Sequence, residues 1–180
     1  MPPLLSSLFT AFCLLSGPVF IYCEINAKNF SQGTNALVIK IRERYSQINR
    51  SSSIYRQVKK DVPSDSPEGA GMIAFFSGKQ IMKIAVTYYY ESGRENVEYY
   101  FWEGKLIFVY KRDSHYDVPM SGRVVSVKEN RCYFDEGRLI KWLDGKKERD
   151  VSNKNAEDIR TEFLDGAKEF VELANSNNSP

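Results

Sequence analysis

The sequence is poor in the side chains that most catalysis and metal binding require. Among 180 residues there is one histidine, His115, and three cysteines, Cys13, Cys23 and Cys132. A lone imidazole supports neither a serine-type triad nor a His-rich metal site. Three cysteines build no disulfide framework, and Cys132 reads as a small buried hydrophobe. There is no Gly-rich phosphate loop, no His-Glu-x-x-His and no Cys-x-x-Cys. Asp113 and Asp117 lack the spacing of a calcium loop. No catalytic residue, cofactor or metal ligand is therefore expected. Charge of one sign is missing too: 25 Lys+Arg stand against 23 Asp+Glu, for a net charge of +2. So even a balance gives no field to hold a phosphate backbone, and nucleic acid is not an expected partner.

Charge is wholly absent from residues 1–23. The apolar stretch Leu4–Leu15, the Gly17-Pro18 break and Val19–Tyr22 read as an export signal. Cleavage is expected after Cys23 or Ala27. An uncleaved anchor and a lipid-modified Cys23 are the alternatives, although the bulk of Tyr22 departs from a lipobox. The expected location is periplasmic or secreted, with membrane contact only through this segment if it is uncleaved or lipidated. Residues 24–33 read as a linker, 34–175 as one domain and 176–180 as a disordered tail.

What the chain has in quantity is aromatic surface: 11 Tyr, 11 Phe and 2 Trp. Within the domain, Leu37, Val38, Ile41, Tyr45 and Ile48 recur at helical spacing from a start at Thr34 or Asn35. Ala156, Ile159, Phe163, Ala167, Phe170 and Ala174 do the same in a second helix, with Asn155 as the expected cap. Between the helices the pattern predicts six strands, at about 72–77, 79–88, 96–102, 105–112, 122–134 and 138–143. Asp113–Ser121, which includes His115, is read as a loop. Short connections make successive strands antiparallel neighbours. The expected fold is α+β: one six-stranded antiparallel meander with the N-terminal and C-terminal helices on one face.

Two hairpins repeat one pattern. Tyr100-Phe101-Trp102-Glu103-Gly104-Lys105-Leu106-Ile107 matches Tyr133-Phe134-Asp135-Glu136-Gly137-Arg138-Leu139-Ile140, and Phe75–Ile81 is a weaker copy. Two-residue turns would set Phe101 opposite Leu106, Tyr99 opposite Phe108 and Phe134 opposite Leu139 on a wholly apolar side. The other side would mix aromatics with charge and present Tyr100, Trp102, Arg131, Tyr133 and Trp142, with Arg131 stacked on Trp142.

The segments Ile41–Asn49, Glu98–Tyr110 and Tyr133–Leu143, in that order, resemble a group of uncharacterised exported bacterial proteins over roughly residues 37–170. The hairpins also resemble the Tyr-Tyr-x-x-Gly-Lys-Leu repeats of MORN-like and antitoxin-like sheet proteins. The first resemblance implies an exported bacterial origin and carries no activity.

The functional expectation is an exported non-enzymatic binding protein. Its mixed sheet face would recognise a protein or glycan through aromatic anchors with a charged rim. One alternative is a small cell-envelope glycan hydrolase using two of Glu98, Glu103, Glu129 and Asp135. Another is an inhibitor or immunity-like partner of an exported enzyme.

Overall fold

The computed structural model describes residues 18–176, with side chains from Gln32 onward. The chain divides into two units, residues 1–35 and 36–180. Of the first unit, only the leading part of helix α1 (Pro18–Arg50) is described. Most of the expected export signal, residues 1–17, lies outside the described residues. Residues 24–33, read as a linker, belong to α1. Among the described residues no helix is long and apolar enough to cross a membrane.

In the second unit, α1 is followed by a short 3-10 turn and then eight strands. These are β1 (Arg56–Asp61), β2 (Ala70–Ser77), β3 (Gln80–Tyr90), β4 (Gly93–Trp102), β5 (Lys105–Tyr116), β6 (Val124–Asp135), β7 (Arg138–Asp144) and β8 (Lys147–Arg149). Helix α2 (Lys154–Asn175) closes the fold. The strands form one antiparallel meander in the order β1 to β8. The class is α+β as expected, but the sheet has eight strands rather than six. The two additions are the edges, Arg-Gln-Val-Lys-Lys-Asp and Lys-Glu-Arg. Charged edge strands resist pairing with other chains, and that same charge hides them from a hydrophobic-pattern search.

The repeated hairpins share a geometry that alternation does not reveal. Glu103-Gly104 and Glu136-Gly137 both have positive φ at both residues, the primed turn that matches strand twist. Each turn is followed by a register shift, between Tyr100 and Phe101 and between Tyr133 and Phe134, and β2–β3 has its own between Phe75 and Phe76. Phe101 opposes Leu106 and Phe134 opposes Leu139 as predicted, but Phe108 then opposes Tyr100, and Val109 opposes Tyr99. One extra residue per return strand moves every following side chain to the opposite face.

Both faces of the sheet are consequently apolar. Val97, Tyr99, Phe101, Val109, Cys132, Phe134 and Leu139 form one core with Ala156, Phe163, Ala167 and Phe170 of α2. Met82, Tyr100, Ile107, Phe108 and Tyr133 form another with Val38, Ile41 and Ile48 of α1. The helices therefore cover opposite faces, correcting the expectation that they share one. Leu106–Val109 is buried at all four positions, the continuous burial of a strand covered on both sides.

Helix α2 reaches across the sheet, touching β1, β3, β5 and β7. Its 22 residues give about 33 Å of length, against about 29 Å for six strand spacings. Arg160 donates to the Gly137 carbonyl at 3.2 Å near one end, and Lys60 of β1 donates to the Ser176 carbonyl at 2.6 Å at the other. Its cap is Asn153, whose side chain accepts from the Ala156 amide at 2.9 Å, and not Asn155.

Candidate functional site

The aromatic residues expected to face outward are divided by the bulges and by α1. Tyr100 is fully buried and Tyr133 nearly so, both beneath α1. Trp102 is half-buried, with the Arg44 guanidinium 4.8 Å from its ring. Trp142 opposes Cys132 and packs on the α2 face, where its indole N–H donates to Asn130 at 2.9 Å. Arg131 lies on the α1 side, 6.0 Å from the centre of the Tyr110 ring, so the expected stack on Trp142 is not made.

Two of the five, Arg131 and Tyr133, meet in a cleft of about 350 Å³ between α1 and the sheet. Helix α1 supplies Ile41, Arg42 and Tyr45 as one wall. Phe108 and Tyr110 of β5 and Arg131 and Tyr133 of β6 form the floor. The aromatic part is tightly interlocked: Tyr45 meets Phe108 edge-on at 5.2 Å, and Phe108 lies 4.9 Å from Tyr133. Helical spacing puts Ile41 and Tyr45 on one face of α1, and the bulge after Gly104 is what turns Phe108 toward them.

The two guanidinium groups at this cleft differ in environment. Arg131 pairs with Glu129 at 2.5 Å and donates to the Gly145 carbonyl at 3.3 Å. The other oxygen of Glu129 accepts from the Tyr110 hydroxyl at 2.6 Å. Burial, reinforced by that carboxylate, pushes Tyr110 up to about 12. Arg42 is exposed, donates to the Tyr133 hydroxyl at 3.3 Å and lies 5.6 Å from its ring centre. Among the described residues Arg42 has no carboxylate within ion-pair distance.

The acids proposed for glycoside hydrolysis are committed elsewhere. Glu98 pairs with Lys83 and accepts from Tyr100, Glu129 is held as above, and Asp135 pairs with Arg138 at 2.7 Å. Glu103 sits in a turn at φ 51°. His115 lies in β5, exposed and opposite Gly93 and Ser126, and not in a loop. Among the described residues no three metal-ligating side chains cluster.

A second polar group, on the α2 side, escaped the sequence reading. Glu95 of β4 opposes Asp113 of β5, and Lys111 lies 3.0 Å from Glu95 and 3.5 Å from Glu162 of α2. Burial holds Glu95 above the usual carboxylate range, against the pull of Lys111. Through Lys111 and Glu162 they tie α2 to the sheet. Their signal was present only as charges scattered along β4, β5 and α2, and the expected strand register, without the bulge, is off by one residue at Glu95.

Comparison with protein-family models, curated proteins and solved structures gives no match to this chain.

Proposed function

We propose that the chain is an exported, non-enzymatic binding protein whose recognition site is the cleft between α1 and β5–β6. The carrying observation is the combination found there: a recess of about 350 Å³ with aromatic walls and an exposed guanidinium. Concave, largely apolar sites with a few oriented polar groups are the usual form of a ligand pocket. Tyr and Arg are also the side chains that carry binding energy when desolvated.

The partner class is a protein or glycan met outside the cytoplasm. The hydrolase reading draws no comparable support, because Glu98, Glu129 and Asp135 each already serve a neighbouring cation. To test the proposal, the full chain is immobilised and exposed to cell-envelope glycan fragments and exported proteins, beside the Arg42→Ala/Tyr110→Ala variant. Selective capture that the variant loses is the expected result. Capture equal in both, with matched far-UV spectra, overturns the cleft. Failure of residues 1–33 to export a signal-less reporter enzyme overturns the location.

A further inference from the structure

The hydrogen-bonding groups of the cleft restrict its ligand more narrowly than its shape does. A neutral sugar needs acceptors as well as donors, since each hydroxyl offers a proton. Glu129, the carboxylate bound to Tyr110 and Arg131, does not itself line the cleft. The Tyr133 hydroxyl accepts from Arg42. Beside tyrosine hydroxyls, which can both donate and accept, the charged group left for a guest is the exposed Arg42 guanidinium, with no carboxylate partner among the described residues. The helix around it leans the same way. Residues 36–50 hold Lys40, Arg42, Arg44 and Arg50 against Glu43 alone.

We infer that the group this cleft takes from its partner is a carboxylate carried on an aromatic or short acyl body. The inference rests on the cleft being a binding site, as proposed above. The body would lie against Tyr45, Phe108 and Tyr133, and its carboxylate would accept a paired hydrogen bond from Arg42. A planar guanidinium matches a carboxylate with two parallel N–H bonds, a geometry that neutral hydroxyls do not satisfy. Partial withdrawal from water against the aromatic wall strengthens that pair relative to a fully solvated one. Arg131 is fixed by Glu129 and acts as a side wall rather than a second anchor.

The test titrates the full chain with 4-phenylbutanoate, octanoate, the primary amides of both, and methyl β-glucoside. Calorimetry reads affinity, and the Ile41 methyl and Tyr110 ring signals read location. Both acids should bind and shift the cleft signals, while the amides bind about tenfold to a hundredfold more weakly. Arg42→Gln should weaken the acids by a similar factor and leave the melting temperature unchanged. Arg44→Gln, which alters a guanidinium over Trp102 outside this cleft, should change nothing. Amides or the glucoside binding at the cleft as well as the acids would overturn the carboxylate inference and leave the cleft as a binding site. Acid binding untouched by Arg42→Gln would overturn the anchor. If no probe shifts the cleft signals, the carboxylate inference falls, while the cleft reading stands or falls with the capture experiment above.

Discussion

Lys83 of β3 and Glu98 of β4 form an ion pair of 2.7 Å beneath the end of α1. The Tyr100 hydroxyl donates to the other Glu98 oxygen at 2.5 Å, and Asn49 of α1 lies 3.3 Å from the Lys83 ammonium. The Lys83 side chain is only 11% exposed, so the pair is shielded from solvent far better than a surface ion pair. It joins two strands and a helix through groups that would otherwise be poorly solvated.

Lys83→Met should therefore cost about 1–3 kcal/mol, because Glu98 and Asn49 lose their cation. Combining it with Glu98→Gln should cost clearly less than the sum of the single changes. Urea unfolding of the four chains measures this coupling. Strict additivity would show that the pair contributes nothing.

Stability should decline on the alkaline side. Burial pushes Cys132 up to about 12 and Tyr88 up to about 12, and raises Tyr99 and Tyr100 further. A group whose pKa is raised by folding stabilises the fold fully below its unfolded pKa, and that contribution fades as pH rises toward the folded value. The window thus opens near the ordinary thiol and phenol range, about 8.5 to 10. Melting temperatures from pH 7 to 11 should fall through that range. A flat profile would contradict the burial of these groups.

Cys132 itself should be silent in the native protein. With Cys13 and Cys23 replaced by Ser, a thiol reagent at pH 8 should label the chain only as fast as it unfolds. Rapid native labelling would place Cys132 nearer the surface.

Two glycines should respond for different reasons. A Cβ at Gly93 would overlap the Ser114 carbonyl oxygen, backbone against backbone, so Gly93→Ala should cost about 1–3 kcal/mol or more. At Gly104 nothing lies within 4 Å, but φ is +76°, and Gly104→Ala should cost about 1–2 kcal/mol through conformation alone. Gly93→Ala behaving no worse than Gly104→Ala would mean that β4 and β5 separate more easily there.

Capping gives a contrast between near neighbours. Asn153→Ala should lower stability by about 1 kcal/mol, since it removes the acceptor for the Ala156 amide. Asn155→Ala should change little. The opposite ranking would restore the cap read from sequence.

Much of the hairpin chemistry was legible. Gly104 and Gly137 marked tight turns, and Phe101 with Leu106 and Phe134 with Leu139 were paired correctly. The apolar stripe of α2 was legible too, because Phe163 and Phe170 keep helical spacing. The cleft was legible only in part. Arg131 and Tyr133 stood out, whereas Tyr45 belonged to the apolar helix stripe, Phe108 to the apolar sheet side, and nothing marked Arg42 or Tyr110. Leu106-Ile107-Phe108-Val109 did carry a sign that both faces of the strand would be covered, since an unbroken apolar run does not suit a half-wet strand.

Local chemistry determined the antiparallel neighbours, the turns and the existence of both helices, because each depends on residues close together in the chain. Which face each helix covers, and which aromatic rings meet Arg42, was decided only in three dimensions. A bulge adds a single residue and leaves no mark in composition, yet it reverses the side on which Phe108 and Val109 emerge. That reversal depends on contacts between distant segments, where burial under α1 and α2 outweighs strict alternation.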